Sequence, residues 1–135
     1  MEKYIKEAYE YFLQRTMSQP NLDVSKIKID KRYIDYFIKH APENATREWV
    51  FDFMLFQFSR YYKTKIYTKN DGFIPFRAVT GKKAFEIWNN KTEEQLYYVT
   101  KFKLSLGLQK EVDYKKKATN EYKDEIRKRF FNTER

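Results

Sequence analysis

The sequence predicts a mostly α-helical domain, α+β at the margin, with a small β-hairpin near residues 64–78 and a charged C-terminal helix. Three observations predict it. Apolar residues recur at helical spacing along most of the chain, one short stretch around Asp71-Gly72 switches to strand-like alternation, and 135 residues is one domain's worth of chain. Residues 1–108 are expected to form the helical core domain with the hairpin inserted in it, and residues 109–135 a charged C-terminal helix or tail.

From the N-terminus, Glu2 to Met17 reads as an amphipathic helix. Tyr4, Ile5, Ala8, Tyr9, Phe12 and Leu13 share one face, and Lys3, Lys6, Glu7, Glu10 and Gln14 the other. Ser18-Gln19-Pro20-Asn21 ends it. Lys26 to Asp30 alternates briefly and suits a short strand, while Asp30 also suits the N-cap of a helix over Lys31–His40 with Tyr33, Ile34, Phe37 and Ile38 inward. Ala41-Pro42-Glu43-Asn44 is a turn. The following segment, Ala45 to Tyr62, is apolar nearly all round, so it must be enclosed by the rest of the protein or by a partner; we read it as the core helix. Its polar strip is narrow: Glu48, Asp52, Ser59 and Lys63.

Lys65–Lys69 and Phe73–Arg77 then resemble two short strands around Asn70-Asp71-Gly72, because Asp-Gly supplies the positive φ of a tight hairpin. Pro75 confines the second strand to an edge. Thr80 to Asn89 is helical again, with Ala84, Phe85, Ile87 and Trp88 on one side. Thr92-Glu93-Glu94-Gln95 is a capping-box pattern that opens another helix. Two readings of 97–108 stay open: Phe102, Leu104, Leu106 and Leu108 alternate as in a strand, while Leu96, Val99, Phe102 and Leu106 fit one helical face; the capping box favours the helix. In the tail, Tyr114, Ala118, Tyr122, Ile126 and Phe130 step by four, a thin seam on a solvated helix that docks lightly or meets a partner.

Composition excludes several chemistries. There is no Cys, hence no disulfide framework, Cys-ligated metal or thiol nucleophile; His40 is the single histidine, and three glycines make no Gly-rich phosphate loop. No cofactor or metal is expected. The start of the chain has no apolar leader, so a cytoplasmic protein with no membrane partner is the expectation. The formal charge is +9, and it is uneven: residues 1–56 are neutral, residues 57–108 carry ten basic against four acidic groups, and residues 109–135 nine against six. Lys outnumbers Arg 20 to 8, so AT-rich codon usage competes with function as the source of this excess.

Helix, strand, helix, turn, helix, strand, turn, strand is the element order of a winged helix-turn-helix. The 45–62 helix is nevertheless a poor groove reader, since Glu48 and Asp52 repel phosphates and only Arg47 and Arg60 offer donors. A second constellation is stronger. Arg60, Lys63, Lys65, Lys69, Arg77, Lys82, Lys83, Lys101 and Lys103 are interleaved with Tyr61, Tyr62, Tyr67, Phe73, Phe76 and Tyr97, a pattern that neutralises phosphates and, where the rings are exposed, stacks unpaired bases. The expected function is therefore a small basic non-enzymatic protein that contacts DNA or RNA phosphate through residues 60–103. The alternative is a protein-interaction module, an adaptor, inhibitor or assembly component in the style of phage or mobile-element products, docking through Tyr122, Ile126 and Phe130. The basic runs Lys115-Lys116-Lys117 and Arg127-Lys128-Arg129 are diluted by neighbouring acids. Enzymatic readings are weak: His40 suits a helix C-terminus, Glu111–Lys115 lacks a further acid to share a metal, and Glu48/Asp52 fits the polar strip.

Overall fold

A computed structural model describes residues 1–16, 27–62, 73–107, 127–128 and 130–131. Among the described residues six helices carry the fold: α1 (Glu2–Thr16), α2 (Lys31–His40), α3 (Arg47–Ser59), α4 (Phe76–Thr80), α5 (Lys82–Asn89) and α6 (Glu93–Ser105). α3 is the hub. It packs against α1, most extensively, and against α6, α5 and α4, while α2 closes over α4 and α1. Ten of its side chains are buried, including Trp49, Phe53, Phe56 and Phe58, as its all-round apolar sequence requires.

Local chemistry sets the helix starts. The Asp30 carboxylate accepts from Arg32 N at 2.9 Å, and Thr46 Oγ1 accepts from Trp49 N at 3.1 Å. At α6 the expected capping box is formed: Gln95 N donates to Thr92 Oγ1 at 3.3 Å and Thr92 N to Gln95 Oε1 at 2.7 Å. The open question over 97–108 is thereby answered as a helix through Ser105, with Leu96, Val99 and Phe102 buried. Gly107, at φ 70°, supplies the left-handed residue that ends it.

The structure corrects the strand expectations. Among the described residues there is no strand. The second hairpin strand, Phe73–Arg77, instead leads into α4, with Pro75 extended at its N-cap (φ −60°, ψ 146°). Residues 27–30 of the short N-terminal strand are irregular. The first hairpin strand, Lys65–Lys69, and the Asn70-Asp71-Gly72 turn lie outside the described residues. What a strand partner would have supplied to residue 74 comes from α1: the buried Tyr9 hydroxyl donates to Ile74 O at 2.7 Å. Burial pushes the Tyr9 phenol well above its ordinary pKa, so it stays a donor. Tyr9→Phe leaves that buried carbonyl without its donor and is expected to lower stability by about 1–3 kcal/mol in urea unfolding; an unchanged midpoint would contradict the bond.

The tail expectation also changes. Phe130 is fully buried, its ring 5.3 Å from Trp88 and 6.2 Å from Phe56, so it belongs to the chain's own core and is not offered to an outside partner. Arg127 pairs with Glu93 at 2.7 Å. Lys91, only 7% exposed, donates to Trp88 O at 3.0 Å and stands 4.0 Å above the Trp88 ring and 5.2 Å from that of Phe131. Arg127, Phe130 and Phe131 thus lie against the α3–α5–α6 core. Tyr122 and Ile126, the other two seam residues, lie outside the described residues.

Candidate nucleic-acid interface

The helix that a winged helix-turn-helix would insert in a groove is α3, and its burial removes it from that role. Of its two donors, Arg47 is bound to Glu7 at 3.3 Å and lies 4.3 Å over the Phe51 ring. Of its polar strip, Asp52 and Ser59 are buried, Ser59 Oγ donating to Phe56 O at 2.6 Å. Glu48 is exposed, so the Glu48/Asp52 carboxylates have unlike surroundings. His40 caps α2 as its position suggested: Nδ1 donates to Tyr36 O at 2.9 Å and the ring stacks on Tyr36 at 3.9 Å. Among the described residues, no three His, Cys, Asp or Glu side chains group as a metal site.

Of the nine basic residues singled out, Lys63, Lys65 and Lys69 lie outside the described residues, as does Tyr67. The others divide between two places. At the first, the end of α3 meets α6 along an open groove of about 460 Å³ lined by Ser59, Arg60, Tyr62, Gln95 and Tyr98. Arg60 is half-buried, hydrogen-bonded to Gln57 Oε1 and 5.0 Å over the Tyr61 ring. Desolvation lowers its pKa from the ordinary arginine value, the mark of a guanidinium held partly out of water. Tyr62 is half-buried against Phe102, ring centroids 5.3 Å apart. Tyr61 is likewise half-buried and donates to Ala78 O at 3.5 Å. Neither presents a free ring face of the kind expected.

Tyr97 and its neighbour are more open. Tyr97 is 42% and Tyr98 50% exposed, with the rings edge-to-face at 5.7 Å. Lys101, one turn on from Tyr97, places its ammonium 4.7 Å from that ring, and a side-chain hydrogen bond with Tyr97 raises its pKa. Lys103 is half-buried in the last turn of α6. Tyr98 was not among the residues singled out from the sequence; its exposure follows from how α6 packs, with Leu96, Val99 and Phe102 turned to the core.

The second place is the entry to α2 beside α4. Arg77 lines a concavity of about 260 Å³ together with Lys28, Arg32 and Tyr33, while Lys82 and Lys83 stand exposed in the first turn of the adjoining α5. Lys28 and Arg32 carried no signal of this in the sequence, since 49 and 45 positions separate them from Arg77 and only the fold brings them together. Gly81 makes the contact between α4 and α2 close: a Cβ there would meet Arg77 O at 3.0 Å and Tyr33 Cε1 at 3.4 Å.

Asp30, the acid in this concavity, is already engaged. Arg32 donates to it through Nη2 at 2.8 Å and Nε at 3.2 Å, and these side-chain bonds, with the backbone N–H of Arg32 and the charge of Lys28, hold the Asp30 pKa near 2, against an ordinary 3.8. A depressed acid favours the folded state above its ordinary pKa. That contribution is lost as pH falls from about 4 towards 2. A carboxyl-detected NMR titration should find the Asp30 midpoint near 2, moving up towards the ordinary range in Arg32→Ala. An ordinary midpoint in the unsubstituted protein would show that the pair does not hold in solution.

Comparison with family models, curated proteins and solved structures gives no match for this chain. Among the described residues no helix is long and apolar enough to cross a membrane.

Proposed function

We propose that the chain is a small, basic, non-enzymatic protein that binds DNA or RNA, contacting phosphate through the basic groups of residues 60–103. One observation carries this reading: the exposed ring pair Tyr97–Tyr98 stands beside the Arg60 groove with the Lys101 ammonium over one ring. Exposed rings stack on bases, and the adjacent cations meet the phosphates that link them, the combination by which single strands are held. Lys predominance suits backbone attraction better than bidentate base reading. Exposed rings stack on unpaired bases, which favours a single strand over a duplex.

Fluorescence anisotropy with labelled single- and double-stranded DNA and RNA over a salt series tests it. Log affinity should fall linearly with log salt, and each phosphate contact removed by Lys101→Glu should lessen the slope by about 0.7 for a single strand. The pair Lys82→Glu/Lys83→Glu should weaken binding further. Both positions are exposed in the first turn of α5, where acids suit the helix dipole, so a loss there is not a loss of fold. No binding at about 50 mM salt, where counterion release helps most, would overturn the proposal and leave the protein-interaction module as the reading to pursue.

A further inference from the structure

The concavity at the entry to α2 has a composition that the Tyr97–Tyr98 platform does not explain. Three cations, Lys28, Arg32 and Arg77, line it around a single acid, Asp30, whose carboxylate is taken up by Arg32. Neither Lys28 nor Arg77 forms an ion pair among the described residues, and both are exposed. The residual field is positive. The walls are Tyr33 and Pro75, half-buried and carbon-rich. The N–H groups that start α2 are not the attraction, because Asp30 already caps them. What remains without an ion-pair partner among the described residues is two lining cations, Lys28 on the chain entering α2 and Arg77 on α4.

At about 260 Å³ the space falls just below the roughly 300 Å³ at which drug-sized ligand sites begin, so it suits a compact anion with a ring attached and not an extended polymer. We propose that this concavity binds a phosphomonoester, held between Lys28 and Arg77, with the ring it carries lying on the Tyr33–Pro75 wall. Arg77 supplies the forked donors that match a terminal phosphate, and Lys28 a second point charge. A terminal phosphate carries close to two charges near neutral pH where a phosphodiester carries one, so a concavity lined by two cations without ion-pair partners prefers it. The ligand is either a free nucleotide or the 5′-phosphorylated end of a strand; only the second source rests on the nucleic-acid reading.

Two arms distinguish the sources. In the first, calorimetry compares AMP with adenosine. In the second, anisotropy compares a single-stranded 12-mer carrying a 5′-phosphate with the same 12-mer ending in a hydroxyl. A preference for the phosphate of at least about tenfold in either arm, lost in Arg77→Glu and again in Lys28→Glu, is the expected result, and the arm that shows it names the source. The two variants lie on different elements and both change exposed side chains, with circular dichroism reporting that the helices persist. Equal affinity for phosphorylated and unphosphorylated probes in both arms would overturn the proposal. So would a preference that survives both reversals, or one that Lys101→Glu removes instead. Should the 12-mers fail to bind at all while AMP binds in an Arg77-dependent way, the nucleic-acid reading fails and this site stands.

Discussion

Trp88→Ala is expected to lower unfolding free energy by about 3–5 kcal/mol, the largest single effect of any substitution considered for this chain. Trp88 is 2% exposed and is where the aromatic core meets: its ring lies 5.8 Å from Trp49, 5.2 Å from Phe53, 5.3 Å from Phe56 and 5.3 Å from Phe130. Removing it opens a cavity under four rings at once, and also takes the π face from beneath the buried Lys91 ammonium. The melting temperature should fall by on the order of 10 °C or more. Phe130→Ala is the informative companion. A fully buried Phe costs about 3 kcal/mol or more to truncate, and because its ring rests on Trp88, the two losses should not add: the double variant should fall short of the sum by about 0.5–3 kcal/mol. A Phe130→Ala cost under about 1 kcal/mol would mean that the C-terminal turn is not docked in solution, and the expectation of a lightly held tail would regain its place.

That contrast marks how far the sequence carried the fold. Of the six helices among the described residues, five were legible, because each shows its period and two show a cap, Asp30 before α2 and Thr92–Gln95 at α6; the Thr46 cap of α3 emerges only in the structure. Phe130 was not legible as core. A four-residue step drifts around a helix and so reads as a thin stripe, yet one ring of that stripe filling the space between Trp88 and Phe56 is enough to anchor the segment. The misread strand has a similar origin. Ile74 and Phe76 are both buried and Phe73 and Pro75 only half so, which is real alternation. Its cause is tertiary: α1 covers that face and Tyr9 satisfies the carbonyl a strand partner would have used. Period 2 reports which side faces the core, and does not report what supplies the hydrogen bonds.

The candidate site was legible in its chemistry and not in its layout. Basic residues among tyrosines can be counted along the chain, but which tyrosines keep a free face depends on packing: Tyr62 is lost to Phe102 and Tyr61 to the α4 backbone, while Tyr97 and Tyr98 stay open. The cations separate likewise. Arg60 faces one groove and Arg77 another, and Arg77 gains Lys28 and Arg32 as neighbours only once α2 docks on α4.

The second large effect follows from those open rings. Tyr97→Ala and Tyr98→Ala are each expected to weaken single-stranded binding by about 1–3 kcal/mol, the worth of one stacked base. The pair together should bring affinity down by a factor of at least about 30. Because both rings are among the most exposed large side chains of the described residues, stability should move by no more than about 0.5 kcal/mol per substitution. Tyr→Phe at either position keeps the π face and should keep most of the affinity. The salt dependence separates stacking from charge: the alanine variants remove no cation, so the slope of log affinity against log salt should stay as it was while the whole line drops. Lys101→Glu should do the opposite and flatten the line. If the double alanine variant binds single strands as tightly as the unsubstituted protein, the rings are not a stacking platform, and whatever nucleic-acid affinity remains is the backbone attraction of the lysines alone.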